Sequence, residues 1–174
     1  DFEQATGTFV GFRVDEELAG GIGAVEAVGR TDDVTGSMEI DDAGVLVAAE
    51  FAVDLTTITT DRSQRDRAVQ RALDTGANPT ATFVLTGPVS PAGGLFEAAA
   101  AGVSVDAPGE LTVAGVTRAI TVPLEARLVD RTIVVVGSVE FALSDFGVTA
   151  PTAPVVVSVA DTATLEVQLL LVKS

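Results

Sequence analysis

The sequence contains no cysteine and no histidine. The absence of cysteine excludes disulfides, a thiol nucleophile and thiolate metal sites. The absence of histidine removes the usual general base near neutral pH, the Ser-His-Asp and Cys-His arrangements, and the common zinc and copper ligand sets. We therefore expect a protein that is not an enzyme, with no catalytic residues, no transition metal and no cofactor.

Long apolar runs and basic residues are scarce as well. Although 47% of the residues are hydrophobic, no run reaches the roughly 18 residues that span a bilayer, and runs such as Ile133 to Val136 have strand length. Ten basic residues stand against 25 acidic ones, which gives a net charge of -15. That charge repels nucleic acid and anionic headgroups and favours solubility.

What the sequence does have is an alternation of apolar and other residues with period two, which is typical of β-strands because every second side chain points to one face. The apolar positions of one parity fall within residues 10–14, 34–40, 45–53, 81–85, 120–128, 133–143 and 165–171. Gly, Pro and Asp punctuate these windows. They predict turns at Pro88 to Gly94, Ala107 to Gly109 and Asp130-Arg131. Residues 15–29 stay undecided, and Ala98 to Ala101 fits a strand or a short helix.

One segment breaks the alternation and is rich in helix formers. It predicts a helix from about Asp61 to Leu73, with Thr60 or Asp61 as its cap and with Val69 and Leu73 packed inward. The charged residues expected in solvent are Arg62, Arg65, Asp66 and Arg71. A solvated face with Arg-Asp pairs explains them best, and anion binding is the alternative.

The strands and the helix together predict an all-β fold. A long antiparallel sheet with one apolar face must close on itself or pack against a second sheet. We predict one domain over residues 1–174, an extended antiparallel β-barrel of about eight strands with one helix across an end; a β-sandwich is the alternative. A barrel of this size holds its own side chains or one small ligand. A cavity is expected, because tryptophan and tyrosine are absent and several inward positions are small: Gly36, Ala49, Ala126, Gly137 and Ala163.

Three ordered motifs resemble the YceI-like family. They are DLTTITTDRSQRDRAVQRALDTGANPTATFVL (54–85), GELTVAGVTRAITVPL (109–124) and SDFGV (144–148). The resemblance extends from about Thr8 to Leu171. Two further segments, GFRVDEEL (11–18) and AVGRTDDVTGSMEI (27–40), are similar to a variant of the family in high-GC Gram-positive bacteria that is often attached to the cell surface.

The resemblance implies a lipocalin-like barrel that encloses a tunnel for a polyisoprenoid chain, such as a quinone or polyprenyl tail. The family's Arg-Asp pair corresponds to Arg65 and Asp66, its Pro-strand to Pro79–Phe83, and its last motif to Ser144–Gly147. Many members carry His-Leu after the Arg-Asp pair; this chain has Ala68-Val69, so no headgroup role for a histidine carries over. The family's opening strand with Trp is missing, and we expect that it lay before Asp1 or has been lost.

The leading functional hypothesis is that the barrel carries or sequesters a long-chain isoprenoid or other apolar lipid. The headgroup candidates are Arg65 and Arg62. The residues expected to bind the ligand are Phe12, Met38, Ala49, Phe51, Phe83, Leu85, Leu124, Phe141 and Phe146. We expect an extracytoplasmic, secreted or cell-surface protein, and leave open a homodimer and an upstream membrane anchor.

Two other hypotheses remain. The first is a cell-surface interaction or structural domain with a self-filled barrel, for which residues 15–29 and 149–154 are the candidate loops. The second and weaker one is an isoprenoid-modifying enzyme, for which only Asp61, Asp66 and Asp145 are candidate acids. Paired carboxylates could hold Mg²⁺ against a diphosphate, but no DDxxD-like cluster occurs on a helical face.

Overall fold

In the part of the chain that the structure describes, one antiparallel sheet of nine strands makes up most of the fold. The computed structural model describes residues 7–20, 23–151 and 156–172. The strands are β1 (Phe9–Leu18), β2 (Gly23–Thr31), β3 (Val34–Ile40), β4 (Leu46–Asp54), β5 (Thr80–Leu85), β6 (Val103–Val113), β7 (Val116–Val129), β8 (Thr132–Ala142) and β9 (Val156–Val172). Their order is β2-β1-β9-β8-β7-β6-β5-β4-β3. The predicted all-β, lipocalin-type barrel is confirmed, with one strand more than the expected eight.

The two edges of the sheet come together without pairing along their length. β2 and β3 follow each other in the chain, joined by residues 32–33, yet they share no ladder in the part of the chain that the structure describes. β2 instead forms one bridge to the segment after β4, where the backbone groups of Arg30 and Thr59 exchange two hydrogen bonds of 3.0 Å. The sheet is therefore curled into a barrel that strand pairing does not fully close.

The helix α1 (Ser63–Ala72) packs against one end of the barrel. Val69 is buried among Val53, Leu55 and Ile58, whereas Leu73 is only half-buried at the same cluster. The position of the helix is thus as predicted, with one of its two inward residues less buried than expected. A 3₁₀ turn over Leu55–Thr57 leads into this region.

The predicted cap of α1 is wrong. The residue at the N-cap is Arg62, which makes no capping hydrogen bond through its side chain. Thr60 lies too far upstream to cap and acts as a donor instead, because its backbone N and Oγ1 each lie 2.7 Å from Oδ1 of Asp66. The start of the helix is therefore held by a carboxylate that reaches backward from the first turn.

The turn predicted at Ala107 to Gly109 is also wrong, because these residues lie within β6. Pro108 faces Thr121 of β7, and its carbonyl accepts a hydrogen bond of 2.9 Å from the backbone N of Thr86. The N and C=O of one strand residue point to the same side. β5 ends at Leu85, so an N–H at position 108 would point to a place beyond the last residue of that strand. Proline at this position therefore removes no hydrogen bond from the ladder between β5 and β6.

Other ambiguous segments become clear in the structure. The alanine run belongs to a second helix, α2 (Leu95–Ala101); residues 15–18 belong to β1 and residues 23–29 to β2, while residues 21–22 lie outside the described residues. The predicted turn at Asp130-Arg131 is confirmed between β7 and β8. Of the candidate loop 149–154, residues 152–154 lie outside the described residues. None of the helices described is long and apolar enough to cross a membrane.

Candidate functional site

An apolar cavity of about 210 Å³ lies inside the curled sheet beneath α1. Every strand except β3 contributes to its wall, α1 contributes Arg65, Val69 and Ala72, and Leu73 at the end of the helix adds one more side chain. Only two charged residues, Glu16 and Arg65, line it among the residues described. The wall is otherwise built almost wholly from aliphatic and phenylalanine side chains, which favours an apolar occupant.

The structure divides the nine predicted ligand-binding residues into two groups. Those that line the cavity are Phe12, Phe51, Phe83, Leu124 and Phe141; those that do not are Met38, Ala49, Leu85 and Phe146. Met38 packs beside Ile133 in a separate apolar cluster. Phe146 lies behind the wall, edge-on to Phe141 at 5.4 Å between ring centroids and 89° between planes. Contact with a ligand stays a prediction for all nine.

Glycines keep the phenylalanine rings of the wall away from the centre of the cavity. Three rings lie so close to a glycine on the neighbouring strand that a methyl group there would overlap them. The pairs are Phe12 with Gly29, Phe51 with Gly36, and Phe83 with Gly109. Glycine in a strand often marks such a close approach, and an aromatic ring covers the gap that it leaves. The rings are accommodated against the sheet, which leaves space in the middle.

The far half of the barrel contains a separate cluster of apolar side chains. Around Ala126, Ile133 and Val135, partly buried residues form a compact cluster that includes Met38, Val103, Leu128 and Leu171. Only Leu124 and Leu169 of this cluster also line the cavity. The cavity therefore occupies the half of the barrel nearer to α1.

The two charged residues of the wall form a buried ion pair. Arg65 donates from Nη2 to Oε2 of Glu16 at 2.9 Å and from Nε to Oε1 at 3.3 Å. Their side chains are only 13% and 7% exposed. The hydrogen bond to Glu16 raises the pKa of Arg65 above its ordinary value. Bidentate pairs of this kind are the stronger charge-assisted contacts, and here the pair is held beside an apolar cavity.

The prediction that Arg65 stays in solvent is wrong, whereas Arg62 is exposed as expected. Arg65 lies four residues before Val69, so both side chains are on the face of α1 that covers the barrel. The sequence carried this signal, because a helical stripe through Val69 and Leu73 also includes Arg65. A long side chain on this face turns toward the barrel and meets Glu16 there.

Glu16 is the site residue that the sequence analysis missed. It follows Val10, Phe12 and Val14 on the same parity of β1, so its side chain is directed to the inner face. A carboxylate at such a position is almost never fully buried unless it is paired. The alternation in β1 contains this signal, but it lies in residues 15–29, whose periodicity in the sequence is weak.

The three acids named for the enzyme hypothesis do not form one cluster. Asp61 contacts Arg65, and its Oδ2 lies 3.6 Å from Nε of Arg62. Asp145 is exposed. Hydrogen bonds from Thr60 lower the pKa of Asp66 below its ordinary value. Within residues 7–20, 23–151 and 156–172, no group of three acidic side chains could hold a metal ion.

Comparisons with known proteins agree with this geometry. The model of the YceI-like domain matches residues 4–171. BcnA of Burkholderia cenocepacia has a similar structure, with a TM-score of 0.72, 20% identity, and coverage of 94% of this chain and 96% of that chain. A polyisoprenoid binding domain from Saccharophagus degradans, implicated in plant cell wall breakdown, gives a TM-score of 0.70 at 18% identity and covers 98% and 97% of the two chains.

The YceI protein of Campylobacter jejuni is similar too, with a TM-score of 0.66, 16% identity and 84% coverage of each chain. No curated protein sequence matches the chain. At such identities the structural likeness shows the fold, whereas the domain model covers nearly the whole sequence. The chain therefore belongs to the YceI-like family.

Proposed function

We propose that this protein binds a long apolar lipid, a polyisoprenoid such as a quinone or polyprenyl chain, inside the barrel and carries or sequesters it. The observation that carries the proposal is the cavity beneath α1, whose wall is apolar except for Glu16 and Arg65. A structural relative described as a polyisoprenoid binding domain supports it.

The extent of the cavity favours a chain over a compact ligand. Its volume of about 210 Å³ exceeds the roughly 150 Å³ of an apolar cavity that holds benzene. Along β9 its lining runs from Val159 to Leu169, and ten residues of strand correspond to roughly 30 Å. A modest volume spread over such a length describes a narrow space, which suits an extended chain.

The energetics also favour a chain. Each buried CH₂ group contributes about 0.8 kcal/mol. A few isoprene units then offset the cost of association and leave enough for micromolar binding, which needs about 8 kcal/mol. Longer chains bind more tightly only as far as the cavity accommodates them.

Native mass spectrometry of the purified protein, followed by organic extraction, tests the proposal directly. We expect a bound species of isoprenoid mass that is released on denaturation, and uptake of a long-chain isoprenoid when stripped protein is refolded with it. A protein that carries no lipid and takes up none would contradict a carrier function.

The alternative of an interaction domain with a self-filled barrel is favoured by one observation, the compact cluster around Ile133 in the far half. If the protein takes up no lipid in the same experiment, this alternative gains support. We also propose an extracytoplasmic location, supported by the resemblance of residues 11–18 and 27–40 to cell-surface variants. Cell fractionation of the source organism tests it.

A further inference from the structure

The one cation that lines the cavity, among the residues described, is already paired with carboxylates. Arg65 contacts two carboxylates, the buried Glu16 and the exposed Asp61. One guanidinium thus faces two acids, and within the described chain no other cation lines the cavity. The whole molecule, this end of the cavity included, has a net charge of -15.

Arg65 nevertheless keeps hydrogen-bonding capacity. A guanidinium has five N–H groups. Those used here are on Nε and Nη2 toward Glu16 and on Nη1 toward Asp61, which leaves two for another acceptor. A neutral hydroxyl or carbonyl oxygen can accept from them while the ion pair stays intact.

An anionic group at this end of the cavity cannot bind Arg65 without disturbing the ion pair. To reach the guanidinium it must approach Glu16 or displace it, and displacement leaves a carboxylate without its partner in a site that is 7% exposed. Breaking a buried pair in this way is strongly unfavourable. Like charges held close together in a poorly solvated site also repel each other.

From this geometry, and resting on the proposed lipid-binding function, we infer that the cavity selects isoprenoids whose polar end is uncharged, such as an alcohol or a quinone, over acids and phosphates. Glu16 is the specificity-determining residue. It neutralises Arg65, the one cation among the described residues that lines the cavity, so the charge of Arg65 is already balanced within the protein.

Three probes with one C20 chain test the inference: geranylgeraniol, geranylgeranoic acid and geranylgeranyl phosphate. Binding to the stripped full-length chain is measured by calorimetry and native mass spectrometry below the micellar concentration of each lipid. We expect the alcohol to bind at least tenfold more tightly than either anion. In Glu16→Gln this preference should shrink at least tenfold, because Arg65 then gains an unneutralised charge.

Glu17→Gln is the matched control. It removes the same charge one residue further along β1, where the side chain is exposed, and should leave the headgroup preference as in the wild type. Asp61→Asn, at the exposed partner of Arg65, should shift the preference in the same direction as Glu16→Gln but less, and it leaves the buried pair in place if Glu16→Gln folds poorly.

The outcomes separate this inference from the proposed function. Wild-type protein that binds the acid or the phosphate as tightly as the alcohol overturns the inference and leaves the carrier function intact. An equal shift in Glu17→Gln and Glu16→Gln also overturns it, since overall charge would then be the cause. If none of the three lipids binds, the proposed function itself fails.

Discussion

The two halves of the barrel share the same strand pattern but differ in what their inward side chains surround. Near α1, the buried residues Val53, Leu55 and Ile58 surround a cavity. In the far half, Ile133 and Val135 are equally buried but do not line this cavity and belong to a separate apolar cluster. The exposed fraction of a side chain therefore does not tell whether it lines the cavity or packs in a cluster. That depends on which side chains lie opposite it.

The difference has a local cause. The hollow half carries phenylalanine rings that lie over glycines, and its end is covered by α1. The far half carries branched aliphatic residues and Met38, which pack against one another in one cluster, as side chains in a close-packed interior do. The four predictions below test this comparison, beginning with the largest effect.

Truncating one isoleucine in each half should reveal the difference in packing. Ile133→Ala in the filled half should lower the free energy of unfolding by about 2–5 kcal/mol. Ile58→Ala should fall at or below the lower end of that range, because its side chain faces the cavity and loses fewer contacts. Urea denaturation of both variants measures the two costs. A larger cost for Ile58→Ala would show that the two halves are packed alike.

Enlarging one buried alanine in each half should separate stability from lipid uptake. Ala49 pairs with Met38 of the far cluster and is buried without lining the cavity, so Ala49→Phe should overpack the interior, at a cost of about 1–3 kcal/mol, and leave lipid uptake intact. Ala163 lines the cavity, so Ala163→Phe should cost less stability and abolish uptake. Denaturation midpoints measure the stability of the two variants, and native mass spectrometry measures their lipid uptake. Lost uptake in Ala49→Phe but not in Ala163→Phe would place the ligand elsewhere.

Adding a methyl group under a wall ring should narrow the cavity. In Gly29→Ala the new methyl overlaps the ring of Phe12 and lies close to Ile58. The ring has to swing toward the cavity centre, which should cost about 1 kcal/mol and weaken lipid uptake. Gly76→Ala is the control, because nothing lies within 4 Å of its new methyl. Unchanged stability and uptake in Gly29→Ala would mean that the glycines do not shape the cavity.

The smallest effect concerns the anchoring of α1 and its dependence on pH. Hydrogen bonds from Thr60 lower the folded-state pKa of Asp66, so the stability that they supply is present above the unfolded pKa of about 3.9 and is lost as pH falls through the folded pKa. Asp66→Asn should therefore destabilise the protein by about 1 kcal/mol or less at pH 6, and by less at pH 3.

Urea midpoints of wild type and Asp66→Asn at the two pH values test this anchoring. Asp106→Asn, at an exposed position of β6, serves as the control and should have little effect at either pH. A destabilisation by Asp66→Asn that grows as the pH falls would contradict the assigned role. A confirmed effect would make the cover over the hollow half the acid-sensitive part of the barrel.

Much of the fold was predictable because strand faces are a local property. The parity of Phe12, Phe51 and Phe83 placed all three on the inner face, where the structure has them lining the cavity. The helix was predictable for the same reason, since its composition and periodicity differ from those of its surroundings. The error at Pro108 shows the limit: proline is a local turn signal, but whether its missing N–H matters depends on where β5 ends.

The site was predictable only in part. Met38 and Ala49 share the inner parity with Phe51, yet they lie outside the cavity wall. Sequence reasoning could name the headgroup candidate Arg65, but its partner Glu16 is 49 residues away in the chain. A pairing over that distance exists only after the sheet has curled and brought β1 under α1.

The sequence by itself determined that this chain forms alternating strands with one apolar face, includes a helix, and contains no histidine or cysteine. Those properties follow from residue type and from periods of two and about four residues along the backbone. Only the tertiary structure decided which half of the barrel is hollow and that Arg65 is neutralised. An empty space and a buried ion pair both depend on side chains that meet across the barrel from strands distant in sequence.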